Sequence, residues 1–401
     1  MIRRLRGLLF LHSKREIWNR AISKTQTFVG AGEDDYSTPP DLRTIVLNRK
    51  KASEAKTRKQ QLQDSLLGQL YSKMKGMRSS ELRCQWCSSH NPQPRCMVIK
   101  LHGEGVVDLG GPYRAVLVGL VEELKSGVLD LLCPASTDEE DEIRLFRPGT
   151  TASLDKYLYF FGKLIGVMIR CNIKFPLDVP TEFWKLLVGD EIDGDWENVE
   201  DDIEEEEEEG KVMSCDGSRE YNIRFLRQSD KKALRHVRLH ESRREHRVVL
   251  AGMSTIVPLN EMRVFTWFEA REIVCGVPDV DIRTLKSCAQ FEAPLNAESR
   301  VVSYLWRALE RFSPKDRVKF LKFVFASSRL PNESMPFRIQ LLKTERSADE
   351  FYPNAQTCFF TLKIPDYSSE DTCYERLRYA VNNCVSMDAD VRLHDGELWG
   401  D

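Results

Sequence analysis

Tyr352-Pro353-Asn354-Ala355-Gln356-Thr357-Cys358-Phe359-Phe360 joins a turn-like segment to an apolar run, Phe359 to Ile364, that reads as a strand. A thiol at that junction sits where a loop enters a sheet and can meet a bulky protein substrate. A thiol on an apolar helix face, as expected for Cys171, cannot. On spacing alone Cys358 reads as a small buried hydrophobe, because single cysteines usually are. Nucleophilic chemistry demands thiolate, of which an ordinary cysteine (pKa about 8.5) supplies a few per cent at neutral pH.

Working outward, a second strand is expected over Phe337 to Leu342, and Ser313-Pro314-Lys315-Asp316 opens a densely apolar helix. A last helix follows Ser368-Ser369-Glu370-Asp371, with Ser368 and Asp371 at capping-box spacing. This C-terminal part mixes helix and strand. Upstream, Thr266-Trp267-Phe268-Glu269 has capping-box spacing and starts a helix that stops at Cys275-Gly276, before Pro278.

Most earlier elements read as helices. Leu158, Phe161, Leu164, Ile165, Met168 and Ile169 recur at core spacing within Leu154 to Cys171, and Pro112 opens a helix that stops at Gly127. Ala55 to Met77 reads as one helix with Leu62, Leu66, Leu67, Leu70 and Met74 on one face. Leu42 to Leu47 and Met97 to Leu101 have strand character, and Pro180 to Val188 makes a short helix. Residues 1–36 are basic and then Gly-rich and acidic, reading as an arm and linker.

Two charged stretches break the pattern. From Glu200 to Glu209 nine of ten residues are acidic, a solvated loop, and Glu220 to Gly252 reads as a basic helix with an apolar inner face. Without interleaved aromatics the basic face balances the acidic loop rather than binding nucleic acid.

The 401 residues suffice for two or three domains, and the formal charge of −3 favours neither a nucleic-acid binder nor an acidic disordered chain. Eleven cysteines, odd in number and irregularly spaced, point to a reducing, cytoplasmic compartment. No apolar run is long enough to span a bilayer, and the start, Met1 to Leu11, imitates a signal peptide but has its apolar stretch cut short by His12 to Arg15. There is no P-loop. Gly103-Glu104-Gly105 lacks the spacing of a nucleotide-binding turn. Cys84, Cys87, His90 and Cys96 are four candidate zinc ligands, but their irregular spacing and Pro92 and Pro94 favour reduced thiols. No cofactor is expected.

Around Cys358 the chain resembles the HECT family of ubiquitin ligases. That signature runs Leu-Pro-x-(Ser/Ala)-x-Thr-Cys-Phe, then an apolar strand and a Pro-x-Tyr-(Ser/Ala)-Ser turn. Pro353, Ala355, Thr357, Cys358, Phe359, Pro365, Tyr367, Ser368 and Ser369 match it. The likeness continues upstream through Gly103-Glu104-Gly105, Asp108, Gly110-Gly111-Pro112, Phe161 to Gly166, Ile169-Arg170, Trp184 to Leu187, Val274 to Gly276 and Ser328 to Pro331. Arg376 to Ala380 and Asn382 to Cys384 are similar to HERC-like members.

The resemblance implies an α+β, bilobal HECT fold. A larger, mainly helical N-lobe (37–276) would be joined by a hinge (277–279) to a smaller α/β C-lobe (280–401). It implies ubiquitin carried on Cys358 as a glycyl thioester, Thr357 and Phe359 supporting the catalytic loop, and as partners ubiquitin, a ubiquitin-conjugating enzyme and a protein substrate. Asp401 is a candidate for orienting the substrate lysine, and Trp399 stands near where many members keep a phenylalanine. One departure is plain: where members insert a carrier-gripping subdomain, this chain has Gly189 to Ser218, mainly acidic and too poor in apolar residues to fold as one. An active ligase that recruits its carrier differently and a degenerate binding scaffold both follow from that.

Overall fold

The structure, a computed structural model, describes residues 6–27, 42–55, 57–88, 91–103, 111–127, 129–134, 144–190, 211–213, 220–222, 242–276, 281–325, 327–330, 336–357 and 360–383. Its buried apolar residues form two separate clusters, one from Trp18 to Cys275 and one from Ile282 to Val381. Helices dominate the first, and the second combines helices with a four-stranded sheet, in keeping with the expected α+β fold. No described helix is long and apolar enough to cross a membrane.

The larger core begins earlier than expected. Helix α1 (Leu11–Lys24) buries Lys14, Trp18 and Ile22, spaced four apart on one face, so this segment is part of the core rather than an arm preceding it. Lys14 Nζ lies 2.7 Å from both carboxylate oxygens of Glu269, and Arg6 pairs with Asp190 at 2.6 Å. A mere cationic tail would leave such ammonium and guanidinium groups in water. Strand β1 (Thr44–Leu47) pairs in parallel with a later strand, described below.

The helix expected over 55–77 is divided into α2 (Arg58–Asp64) and α3 (Leu66–Met74). Ser65 leaves helical geometry and its hydroxyl accepts the Gly68 N–H at 3.0 Å. The carboxylate of Glu123 takes the N–H groups of Leu66 and Leu67 at 2.6 and 3.1 Å. These acceptors satisfy donors that a helix start leaves open, which stabilises the break.

Strand β2 (Val98–Leu101) pairs with β1 and leads to α4 (Gly111–Lys125), which ends before Gly127, whose φ of +75° suits the stop. Helix α5 (Ala152–Arg170) is the centre of the core, with Leu158, Phe161, Leu164, Ile165 and Met168 buried. After α6 (Thr181–Leu187), the stretch 189–218, read as an acidic loop, contains strand β3 (Lys211–Met213). It pairs with β4 (Glu220–Asn222), where a basic helix was expected to begin. In this register Val212 stands opposite Tyr221. Residues 200–209 and the basic run 223–241 lie outside the described residues. Helix α7 (Arg243–Ser254) then packs across α5.

Helix α8 (Trp267–Cys275) has the expected capping box: Glu269 N–H donates to Thr266 Oγ1 at 3.2 Å, and the Glu269 carboxylate accepts the Thr266 N–H at 2.8 Å. It stops at Gly276, at φ +75°, where an added Cβ would stand 3.2 Å from Arg329 Cβ and from Lys174 Cγ. The expected hinge, 277–279, lies outside the described residues.

The smaller core includes β5 (Ala289–Phe291), α9 (Arg300–Arg311), α10 (Pro314–Phe325), β6 (Phe337–Leu341), β7 (Asn354–Gln356), β8 (Thr361–Ile364) and α11 (Glu370–Asn383). The sheet order is β7-β8-β6-β5, with β6 parallel to β8 and β5, and β7 antiparallel to β8. The cap of α11 differs from expectation. Ser369 Oγ accepts the Thr372 N–H at 3.1 Å, while Ser368 turns to Asp349, to which its own N–H donates at 2.8 Å.

Candidate functional site

Strands β7 and β8 form a hairpin in which Gln356 stands opposite Thr361, and the chain between them carries Cys358. Cys358 and Phe359 lie outside the described residues, and so do Asp401 and Trp399. The described flanks, Thr357 and Phe360, define the site. The expected strand starts at Thr361 rather than Phe359 because Phe360 adopts φ +53°. For a residue with a Cβ that left-handed conformation costs roughly 1–2 kcal/mol, so the surroundings must enforce it.

They do so from three sides. The Phe360 carbonyl accepts the Arg338 N–H of β6 at 2.9 Å, and its ring lies 5.7 Å from that of Phe325 at the end of α10. From the larger core, the Arg114 guanidinium sits 4.2 Å over the Phe360 ring and donates to the Thr357 carbonyl oxygen. Arg114 is only 3% exposed. A cation over a ring gains when water is excluded, as does a charge-assisted hydrogen bond to a carbonyl. One side chain thus holds both described flanks of Cys358.

Sequence reasoning gave Arg114 no role. The signal lay in its position, two residues after Pro112 at the start of α4, where a charged residue faces inward. Its neighbour Tyr113 is wholly buried, with its hydroxyl 3.5 Å from Cys96 Sγ and 3.4 Å from Cys171 Sγ. That contact fixes the first turn of the helix that presents Arg114. Further along α4, Glu122 pairs with Lys322 of α10. Asp178 makes a third tie between the cores, held by Arg271 at 3.5 Å and by Arg329 at 3.1 Å.

The segment entering the hairpin is anchored on α11. Tyr352 stacks on Tyr379 at 4.6 Å and its hydroxyl accepts from Arg376 at 3.0 Å. Tyr367 donates from its hydroxyl to the Phe351 carbonyl at 2.9 Å, and burial pushes its pKa up. The loop's supports are therefore mostly aromatic.

The cysteines weighed as zinc ligands differ in exposure. Cys84 and Cys96 are buried and Cys87 is exposed; burial pushes the Cys84 thiol up to about 12 and raises that of Cys87. His90 lies outside the described residues, among which no three metal-ligating side chains cluster. Cys171 is buried at the end of α5, where a protein substrate cannot reach it.

A family model described as HECT-domain (ubiquitin-transferase) matches residues 231–390, which include Cys358 and its hairpin. The E3 ubiquitin-protein ligase HERC2 of Mus musculus is 31% identical over 348 residues, covering 77% of this chain and 7% of that protein. The probable E3 ubiquitin-protein ligase HECTD4 of Homo sapiens is 24% identical over 453 residues, 95% of this chain and 11% of that protein. The E3 ubiquitin-protein ligase HUWE1 of Mus musculus is 31% identical over 150 residues, 35% of this chain and 3% of that protein. The chain spans a small fraction of the length of each.

Proposed function

This chain belongs to the HECT-domain, ubiquitin-transferase family and resembles its HERC-like members, and from that membership we propose that it is a ubiquitin-protein ligase carrying ubiquitin on Cys358. The reading rests on one observation: within the segment matched by the family model, Cys358 lies between Thr357 and Phe360, and Arg114 holds both of these described flanks.

In the proposed reaction the Cys358 thiolate attacks the carbonyl of the thioester that joins ubiquitin to a conjugating enzyme. A new S–C bond forms, the old one breaks, and the carrier's thiolate leaves and takes up a proton. A neutral lysine amine of the substrate then attacks the Cys358 thioester. The amide forms, Cys358 leaves as thiolate, and the amine's proton passes to solvent or to a nearby base. No oxidant, metal or nucleotide enters either step. A reducing, cytoplasmic compartment would keep the thiol available.

In this reading residues up to Gly276 form the carrier-recruiting lobe, now with α1 included, 277–279 the hinge, and 280–401 the lobe that bears the thiol. Asp401 would orient the lysine; intact transfer after removal of residues 398–401 would take it out of the mechanism. The shortened stretch 189–218 favours a second reading, a scaffold that binds without transferring. Incubation with a panel of ubiquitin-charged conjugating enzymes separates the two. The ligase gives a ubiquitin adduct cleaved by dithiothreitol, lost in Cys358→Ala, and converted in Cys358→Ser to an adduct that resists dithiothreitol. No adduct with any carrier leaves the scaffold.

A further inference from the structure

We infer that Arg114, a residue of the larger core, is a positioning residue for the thiol loop, so that the geometry of the loop depends on docking of the smaller core against helix α4. The inference rests on Cys358 being the ubiquitin-accepting thiol. Three observations carry it. Arg114 is the described side chain of the larger core that reaches both flanks of Cys358, through the Thr357 carbonyl and the Phe360 ring. Phe360 holds a left-handed backbone that an L-residue adopts only under support. The same helix carries Glu122, whose contact with Lys322 draws α10 of the smaller core onto it.

Strain that persists only while neighbours enforce it is a two-state element. With the cores docked, Arg114 completes the enclosure of the Phe360 turn and fixes the chain on either side of the thiol. With the cores apart, the turn loses its cation and the Thr357 carbonyl its charged donor. A reacting group held in one orientation reacts faster than the same group on a loose loop, because the entropy of alignment is already spent. Arg114 touches neither ubiquitin nor the reacting sulfur in this account; it acts through the two residues it holds.

The test is single-turnover formation of the Cys358 adduct, followed against concentration of a charged conjugating enzyme. Arg114→Ala lowers the rate at saturation about tenfold, the loss expected for removing an alignment contact from a reacting loop, with the half-saturating concentration unchanged. Arg114→Lys keeps a cation over the ring and one donor, and recovers most of the rate. Phe360→Leu lowers it too, and Arg114→Ala added to Phe360→Leu costs little more, because the two residues act as one contact. An unchanged saturating rate, a loss confined to the half-saturating concentration, or fully additive losses overturns the inference.

Amide hydrogen exchange over residues 354–362 needs no ubiquitin and separates this claim from the ligase reading. Arg114→Ala speeds exchange there and leaves β5 and α9 unchanged. Equal exchange in wild type and variant overturns the role of Arg114 even where the adduct forms, whereas a missing wild-type adduct overturns the ligase reading alone. Should Arg114→Ala fail to fold, Lys322→Glu sets two carboxylates face to face on the surface without touching either core. It speeds exchange over 354–362 in the same sense, and Glu122→Lys added to it restores the slow rate. Failure of both effects overturns the inference.

Discussion

In the larger core, α5 and α7 approach until backbone meets backbone: a Cβ added at Gly162 would fall on the Val249 carbonyl, and one at Gly252 on the Tyr159 carbonyl. The described smaller core contains no glycine to permit such an approach; a sheet is wrapped by helices whose outer faces exchange exposed ion pairs, as Arg307 does with Glu370 and Arg311 with Asp371. Rigid backbone contact cannot yield by side-chain repacking, while exposed charges can be rearranged at little cost. The larger core is therefore suited to serve as the fixed reference against which the thiol hairpin is held. The hairpin's own strained turn, at Phe360, needs that reference.

The largest effect should come from Gly252→Val. The branched side chain must displace α5 at Tyr159 and Lys163, atoms of backbone rather than of a flexible side chain. Destabilisation above about 4 kcal/mol is expected, in the range reserved for severe overpacking. Urea unfolding reads it, and a midpoint close to wild type would show that the helices are not locked together as described.

Next comes Arg170→Met, which tests how firmly α1 is built into the core. The buried guanidinium donates to the Ile256 carbonyl at 2.7 Å, to the Ile22 carbonyl at 3.2 Å and to Thr25 Oγ1, so it ties the end of α1 to the end of α7. Burial lowers its pKa to about 10, still charged at neutral pH. Methionine keeps the volume but strands the carbonyls, at a cost of roughly 3 kcal/mol. Limited proteolysis within residues 6–27 should rise in parallel; unchanged protection would return that segment to the status of an arm.

A pH experiment sharpens the same contrast inside the larger core. His246 on α7 is wholly buried between Phe146 and Phe183, at 5.3 and 5.6 Å, and neither ring nitrogen finds a partner among the described residues. Burial lowers its pKa from 6.5 to about 4. The unfolded chain therefore binds a proton first as pH falls, so stability is full above about 6.5, declines below it, and levels off under about 4. The gap of about 2.5 units corresponds to roughly 3 kcal/mol. His246→Phe should flatten that part of the curve while leaving neutral stability unchanged or raised. An undiminished acid slope between pH 6.5 and 4 would assign it to other groups.

How much of this was legible in the sequence follows from how local each signal is. The capping box at Thr266 and Glu269, the buried stripe of α5 and the stop at Gly276 are set by residues within a few positions, and the structure has them where the sequence placed them. The division of the 55–77 helix at Ser65 depends on Glu123, some sixty residues away, so the apolar stripe alone ran straight through it. The first helix hid for a related reason. Its inward face contains Lys14, which reads as solvated until Glu269 is brought beside it. The thiol motif was legible as a resemblance, but Arg114 was not, because its partners lie 243 residues further on.

The smallest effect is expected on the outer face of α9. Arg300, Arg307 and Arg311 pair with Asp366, Glu370 and Asp371 at 3.2, 3.0 and 2.8 Å, all substantially exposed. Exposed pairs gain little over their solvated partners and are weakened by salt. Neutralising all three acids, as Asp366→Asn, Glu370→Gln and Asp371→Asn together, should therefore leave the melting midpoint within measurement error at physiological salt. The opposite face supplies the control. Leu305 is wholly buried in the smaller core, and Leu305→Ala should cost about 3 kcal/mol through lost burial and a residual cavity. If the triple neutralisation instead lowered the midpoint as much as Leu305→Ala, α9 would be held by its charges, and the smaller core would be as intolerant of surface change as the larger is of an added methyl.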